Sequence, residues 1–241
     1  MKKIVTISLF TSIVMGLLAG CSDNTADVDT TKNDSTISSN GNTSRGGKPD
    51  ISGWPEASQM AAKAMMDKYG EPNESTPRML VWYNNGPWKR TIIYDQEVKH
   101  IFPVDHVDVM EQAIDYKVPP NKATDVISYD GSVTIRRTDG ELSAKCDKEG
   151  ANFLAINLAN DVITGKKSVS EARAFYATTI KEFALQNKMS PYLESLQFSV
   201  SKGGTNDTDK HAVSEEENKQ ITDAMKKMAE KNRNITFIQL G

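Results

Sequence analysis

The sequence predicts an α+β domain: an antiparallel sheet built from hairpins, with helices packed on one side. Three observations carry that expectation. Two turn signals, Asn84-Asn85-Gly86-Pro87 and Thr138-Asp139-Gly140, each sit between strand-like runs. Several longer segments repeat apolar residues at helical spacing and open on capping residues. The strand-like runs come in neighbouring pairs rather than alternating one by one with helices, which favours antiparallel pairing.

The chain starts with Lys2 and Lys3, an uncharged apolar run from Ile4 to Leu18, and then Leu18-Ala19-Gly20-Cys21. A basic start, a short apolar run and small residues before a cut site describe a secretory signal peptide. The run is shorter than the roughly 20 residues a spanning helix needs. Leu18-Ala19-Gly20-Cys21 resembles the lipobox of bacterial lipoproteins. That resemblance implies cleavage before Cys21, lipidation of the Cys21 thiol and acylation of the new amine, with palmitate-type chains. Each buried methylene contributes about 0.8 kcal/mol, so two or three chains make a permanent anchor. Ser22 in the position after the cysteine implies sorting to the outer membrane in a Gram-negative cell.

Residues 1–20 are thus read as the signal peptide, and 21–50 as the lipidated cysteine and a tether. Ser22 to Asp50 is rich in Ser, Thr, Asn, Asp and Gly. It has too little apolar surface to offset its ordering entropy. As a coil it would span roughly 30 Å. The net charge is −3, and loss of Lys2 and Lys3 makes it two units more negative. That balance argues against a nucleic-acid partner. With Cys21 acylated, Cys146 has no partner for an internal disulfide.

Residues 51–200 are read as the globular domain. Trp54-Pro55 opens a helix with Ala57, Met60, Ala61, Ala64 and Met65 on its apolar face, stopped by Gly70 and Pro72. Met79 to Tyr83 and Trp88 to Tyr94 form the first hairpin. Val107 to Val118 reads as a strand ending at Pro119-Pro120, followed by a short helix through Val126-Ile127. Ser132 to Arg137 and Glu141 to Lys145 form the second hairpin. Asp147 is placed as the cap of a long helix ending at Gly165. Ser168-Val169-Ser170-Glu171 is a capping box opening another, and Leu196 to Val200 reads as a strand. Residues 201–241 are read as a polar linker, an amphipathic helix capped by Ser214 with Ile221, Ala224, Met225 and Met228 on one stripe, and a short strand from Ile235 to Leu240. The stripe is expected to fold back on the domain.

For chemistry, His100, His106 and Asp108, with Asp105 and Glu111 nearby, are the right ligand types for zinc or a similar ion, although their spacing fits no short motif. Cys146 lies before a helix start, where a thiolate would be stabilised. Asp125, Asp130, Asp147 and Glu149 have ordinary structural reasons at turns and helix starts. Trp88, Lys89 and Arg90 at the first hairpin tip are candidates for binding a sugar, a peptide or an anionic head group. The alternative is that Trp88 faces the core. No Gly-rich phosphate loop, GxSxG or EF-hand loop occurs, so no cofactor is expected.

Two stretches, Trp54-Pro55-Glu56-Ala57 through Leu80-Val81-Trp82-Tyr83-Asn84-Asn85-Gly86-Pro87-Trp88-Lys89-Arg90, and Asp130-Gly131-Ser132-Val133 through Cys146-Asp147-Lys148-Glu149 to Phe175-Tyr176, resemble a group of exported bacterial proteins of unknown function. The likeness covers roughly residues 54–200 and implies no activity. Helix, Gly-x-Pro and aromatic hairpin are also similar to small outer-membrane assembly lipoproteins. The expected role is a membrane-anchored envelope lipoprotein that binds another envelope protein or a glycan without turnover. The rival is a tethered hydrolase-like enzyme using the His/Asp cluster or Cys146, which requires His106, Asp108 and Cys146 to converge.

Overall fold

The computed structural model describes residues 49–231. The signal peptide, the lipobox, nearly all of the tether and the closing strand expected at Ile235 to Leu240 lie outside the described residues. The described residues make one unit by their own contacts.

Helix α1 spans Glu56–Tyr69, with Pro55 at its N-cap and Gly70 at φ +80° behind it. Its buried stripe is Ser58, Ala61, Ala62 and Met65; Met60 is exposed, so the inward face is rotated from the expected one. Strands β1 (Glu74–Ser75), β2 (Met79–Tyr83), β3 (Arg90–His100) and β4 (His106–Asp115) follow. A short 3-10 turn leads into α2 (Ala123–Tyr129). The second hairpin is β5 (Val133–Arg136) and β6 (Glu141–Cys146). Then come α3 (Glu149–Ile163), α4 (Val169–Gln186), the short α5 (Pro191–Glu194) and α6 (Glu215–Lys231).

Among the described residues the strands form one antiparallel sheet in the order β1-β2-β3-β4-β6-β5. Both hairpins sit where the turn chemistry puts them. Helices α1 and α3 share one face. Gln112 of β4, fully buried, shows this: its amide reaches Met65 of α1 and its carbonyl accepts from Asn152 of α3 at 3.0 Å. Under α1 lie Leu80, Trp82, Ile93 and Met110; under α3 lie Trp88, Ile114, Leu142 and Ala144.

Glu149, the first residue of α3, ties these parts together. Its carboxylate accepts from the Trp88 indole and the Tyr69 hydroxyl, each at 2.7 Å, and from Lys68 at 2.5 Å. The buried sheet, the end of α1 and the start of α3 therefore meet on one anion, placed where the helix dipole favours it.

Four expectations are corrected. Asp147 does not cap α3: Lys148 holds that position without a side-chain bond, and Asp147 instead binds the Cys146 thiol and the Lys148 ammonium. Leu196 to Val200 is not a strand. Its alternating Leu196, Phe198 and Val200 do pack on the core, but the Gln197 amide donates to Asn157 Oδ1 of α3 at 2.7 Å rather than to a strand neighbour. The α6 stripe does not fold back, since Ile221, Met225 and Met228 are exposed. Trp88 is not a surface residue, as described below. Both capping boxes, Ser168 with Glu171 and Ser214 with Glu217, are formed.

Candidate metal centre

Strands β3 and β4 are joined by a loop over residues 101–105, and their pairing sets His100 opposite His106. Side chains alternate along a strand, so His106, Asp108 and Met110 share the helix-covered face. Met110 pairs with Cys146, the last residue of β6. Three strand ends thus deliver two imidazoles, a carboxylate and a thiol to one corner. Asp130 and Ser132 join from the turn between α2 and β5.

The two histidine rings lie 4.8 Å apart, centroid to centroid. His106 Nδ1 donates to the Val104 carbonyl at 2.9 Å, since a carbonyl only accepts. That bond fixes a hydrogen on Nδ1 and leaves Nε2 facing Asp108 Oδ1 at 3.3 Å. The Asp108 side chain is 4% exposed. Its Oδ2 accepts the Ser132 hydroxyl, while Oδ1 has no hydrogen-bond partner: the Nε2 contact has the length of a hydrogen bond but not its alignment. Ser132, its hydrogen given to Asp108, accepts from His100 Nδ1 at 3.1 Å. His100 Nε2 then faces Asp130 Oδ1 at 3.8 Å.

Charge follows this geometry. The Asp108 carboxylate, with the Cys146 sulfur second, holds the His106 proton affinity well above that of free imidazole. Burial pushes the Cys146 thiol up against the pull of His106. With the thiol neutral, the counter-charge of the His106 cation is Asp108. Burial raises the Asp130 carboxyl too, opposed by the Ser132 amide and by His100.

A ligand atom from each of His100, His106 and Asp108 lies within 4.8 Å of the others. Zinc binds N and O at about 2.0–2.1 Å, so tetrahedral neighbours sit about 3.3 Å apart. The separation of His106 Nε2 from Asp108 Oδ1 has that value. A ligating histidine normally donates its other N–H to a carbonyl or carboxylate, and a ligating carboxylate is itself hydrogen-bonded. Val104 and Ser132 fill those supporting roles. Cys146 lines the same cavity as His106, but its sulfur stands outside this set of converging ligand atoms.

A cavity of about 440 Å³ opens beside His106; Cys146, Asp147 and Lys148 line it together with the apolar Val104, Ile180 and Phe183. The apolar wall comes from the β3–β4 loop and α4. Arg173 of α4 holds the two together: its guanidinium lies 3.8 Å over the Phe102 ring and donates to the Tyr129 carbonyl at 2.6 Å.

Of the other sequence candidates, Asp105 sits exposed at the rim of this cavity. Glu111 takes the Tyr94 hydroxyl at 3.1 Å, on the opposite face of the sheet. Cys21 is outside the described residues. The hairpin tip presents no aromatic–cation surface. Trp88 is 1% exposed, stacks on Phe153 at 4.7 Å and bonds Glu149. Lys89 pairs with Asp115 and Glu141 at 2.8 and 2.9 Å, and Arg90 pairs with Glu141 at 3.0 Å. Apolar surface on both sides of the turn outweighs any exposed role for the indole. Asp130, Ser132 and the α4 wall were not legible as site residues. The one available signal was alternation: extending the 107–118 strand by one residue puts His106 and Asp108 on one face.

No family model matches the chain, and neither does any curated protein or solved structure.

Proposed function

We propose that the domain holds a zinc-type divalent ion at His100, His106 and Asp108, and that it is a lipid-anchored envelope hydrolase. The observation that carries this reading is Asp108 Oδ1. It is buried, without a hydrogen-bond partner, and at tetrahedral ligand distance from a histidine nitrogen whose ring is already oriented by Val104. A buried carboxylate oxygen left bare is costly unless an ion completes it. The cavity beside the donors gives substrate and water an approach, as a catalytic rather than a closed structural site requires. There, water adds its oxygen to an ester or amide carbonyl carbon, and the leaving group departs with a proton. The lipobox reading sets this chemistry at the membrane through Cys21, at the outer membrane if the cell has one.

The test is elemental analysis of the full chain, purified in detergent without chelator, beside a His100→Ala/His106→Ala variant. About one zinc per chain, lost in the variant, supports the reading; no metal in the wild type ends it. A second reading is favoured by one observation: Cys146 and His106 line the same cavity. A metal-free protein whose Cys146 reacts rapidly with iodoacetamide, and slowly in His106→Ala, would be a thiol enzyme instead. Loss of membrane attachment in Cys21→Ser tests the anchor.

A further inference from the structure

The cavity is lined by both polar and apolar side chains, and that mixture says what kind of molecule fits it. Its lining includes His106, one of the three converging ligands, and Cys146. It also includes Val104, Ile180, Phe183 and Tyr176. Val104 and Phe183 are 57% and 39% exposed, an apolar rim left uncovered among the described residues. A volume near 440 Å³ lies within the roughly 300–1,000 Å³ range of small-molecule sites. Polar partners are scarce along the apolar wall. The one cation at the edge, Lys148, is already paired with Asp147. A sugar would need hydrogen-bond partners along that wall, and its chemistry does not supply them.

We infer that the cavity takes the alkyl chain of a fatty-acyl ester or amide, with the acyl carbonyl turned to the His100/His106/Asp108 corner. This inference rests on the metal reading and adds the substrate class to it. The apolar side chains line the same space as His106 and Cys146, so a chain lying on Ile180 and Phe183 can bring its polar end to His106. An uncovered apolar rim next to converging polar groups marks a binding site rather than a packing defect. The nearby membrane implied by the lipobox is a source of such amphiphiles.

Alkyl hydroxamates test this, because the head binds zinc and the tail length is free to vary. The described residues hold their core within one unit, so the chain from Ser22 to Gly241 can be used without detergent. Zinc-loaded protein is titrated by calorimetry with acetohydroxamate, hexanohydroxamate and octanohydroxamate. Burial of each methylene should tighten binding about fourfold. A Phe183→Ser variant, altered only at an exposed position, should bind acetohydroxamate as the wild type does and lose much of the gain with length. A wild type that binds acetohydroxamate but shows no gain with length overturns the fatty-acyl inference and leaves the metal reading standing. A protein that takes up no zinc, or binds none of the three, overturns both.

Discussion

Removing the Glu149 carboxylate should unfold the domain from the middle, and the size of the effect can be worked out from its contacts. In Glu149→Ala the Trp88 indole N–H and the Tyr69 hydroxyl lose their acceptor. Trp88 is 1% exposed, so water cannot replace the bond there without opening the core. Each orphaned buried donor costs about 1–3 kcal/mol. The Lys68 pair adds under about 1 kcal/mol, since half of that side chain is in solvent. The total is about 4 kcal/mol. For a domain of this size each kcal/mol lowers Tm by about 2–4 °C, so a fall of about 8–16 °C is expected. Circular dichroism against temperature measures it. Trp88→Phe, which removes one donor and keeps the ring stack on Phe153, should lose appreciably less. A fall under about 3 °C in Glu149→Ala would refute the view that this anion joins α1, the sheet and α3.

Four further outcomes follow from the same contacts. Burial pushes the Glu141 carboxyl up, but Arg90 and Lys89 outweigh it and bring it down to about 2. A depressed carboxylate stabilises the fold above its unfolded pKa and stops doing so as pH falls through the folded one. Acid unfolding between about pH 4.5 and 2 should therefore be shallower in Glu141→Gln, measured against the wild type at equal temperature. Gly140 sits at φ +67°, and a Cβ there would fall on the Thr205 carbonyl and the Asn206 nitrogen. Gly140→Ala should cost about 1–3 kcal/mol and raise hydrogen exchange around residues 203–207. Trp88→Ala should cost about 3–5 kcal/mol as a core truncation, whereas a surface-binding tryptophan would leave thermal unfolding unchanged. Replacing Ile221, Met225 and Met228 together by Ser should move stability by no more than about 0.5 kcal/mol per site, because all three are exposed.

What the sequence revealed was local. Each capping box is written within four residues, and the first hairpin within sixteen, so Ser168/Glu171 and Met79-to-Tyr94 could be placed without knowing the rest of the fold. Leu196 to Val200 shows the converse. Its alternation was real and its inward residues are inward, but whether an extended segment joins a sheet depends on what lies beside it. Here that neighbour is Asn157 of a helix. The site is harder still to read. Cys146 meets His106 because Met110 pairs with Cys146 across β4 and β6, a register that no short motif encodes. His100 and His106 could be suspected as a pair. Ser132 and Asp130, which orient them, looked like turn residues because that is also what they are.

The donors and the apolar wall have different owners. His100, His106 and Asp108 ride on the hydrogen-bonded strands, where a shift in one drags its neighbours. Ile180 and Phe183 ride on a single helix, clasped to the loop by Arg173 over Phe102. Selection can therefore reshape what the cavity admits by changing a few α4 side chains, without retuning the corner that does the chemistry. Appetite for ligand and affinity for the ion are inherited on separate pieces of the fold.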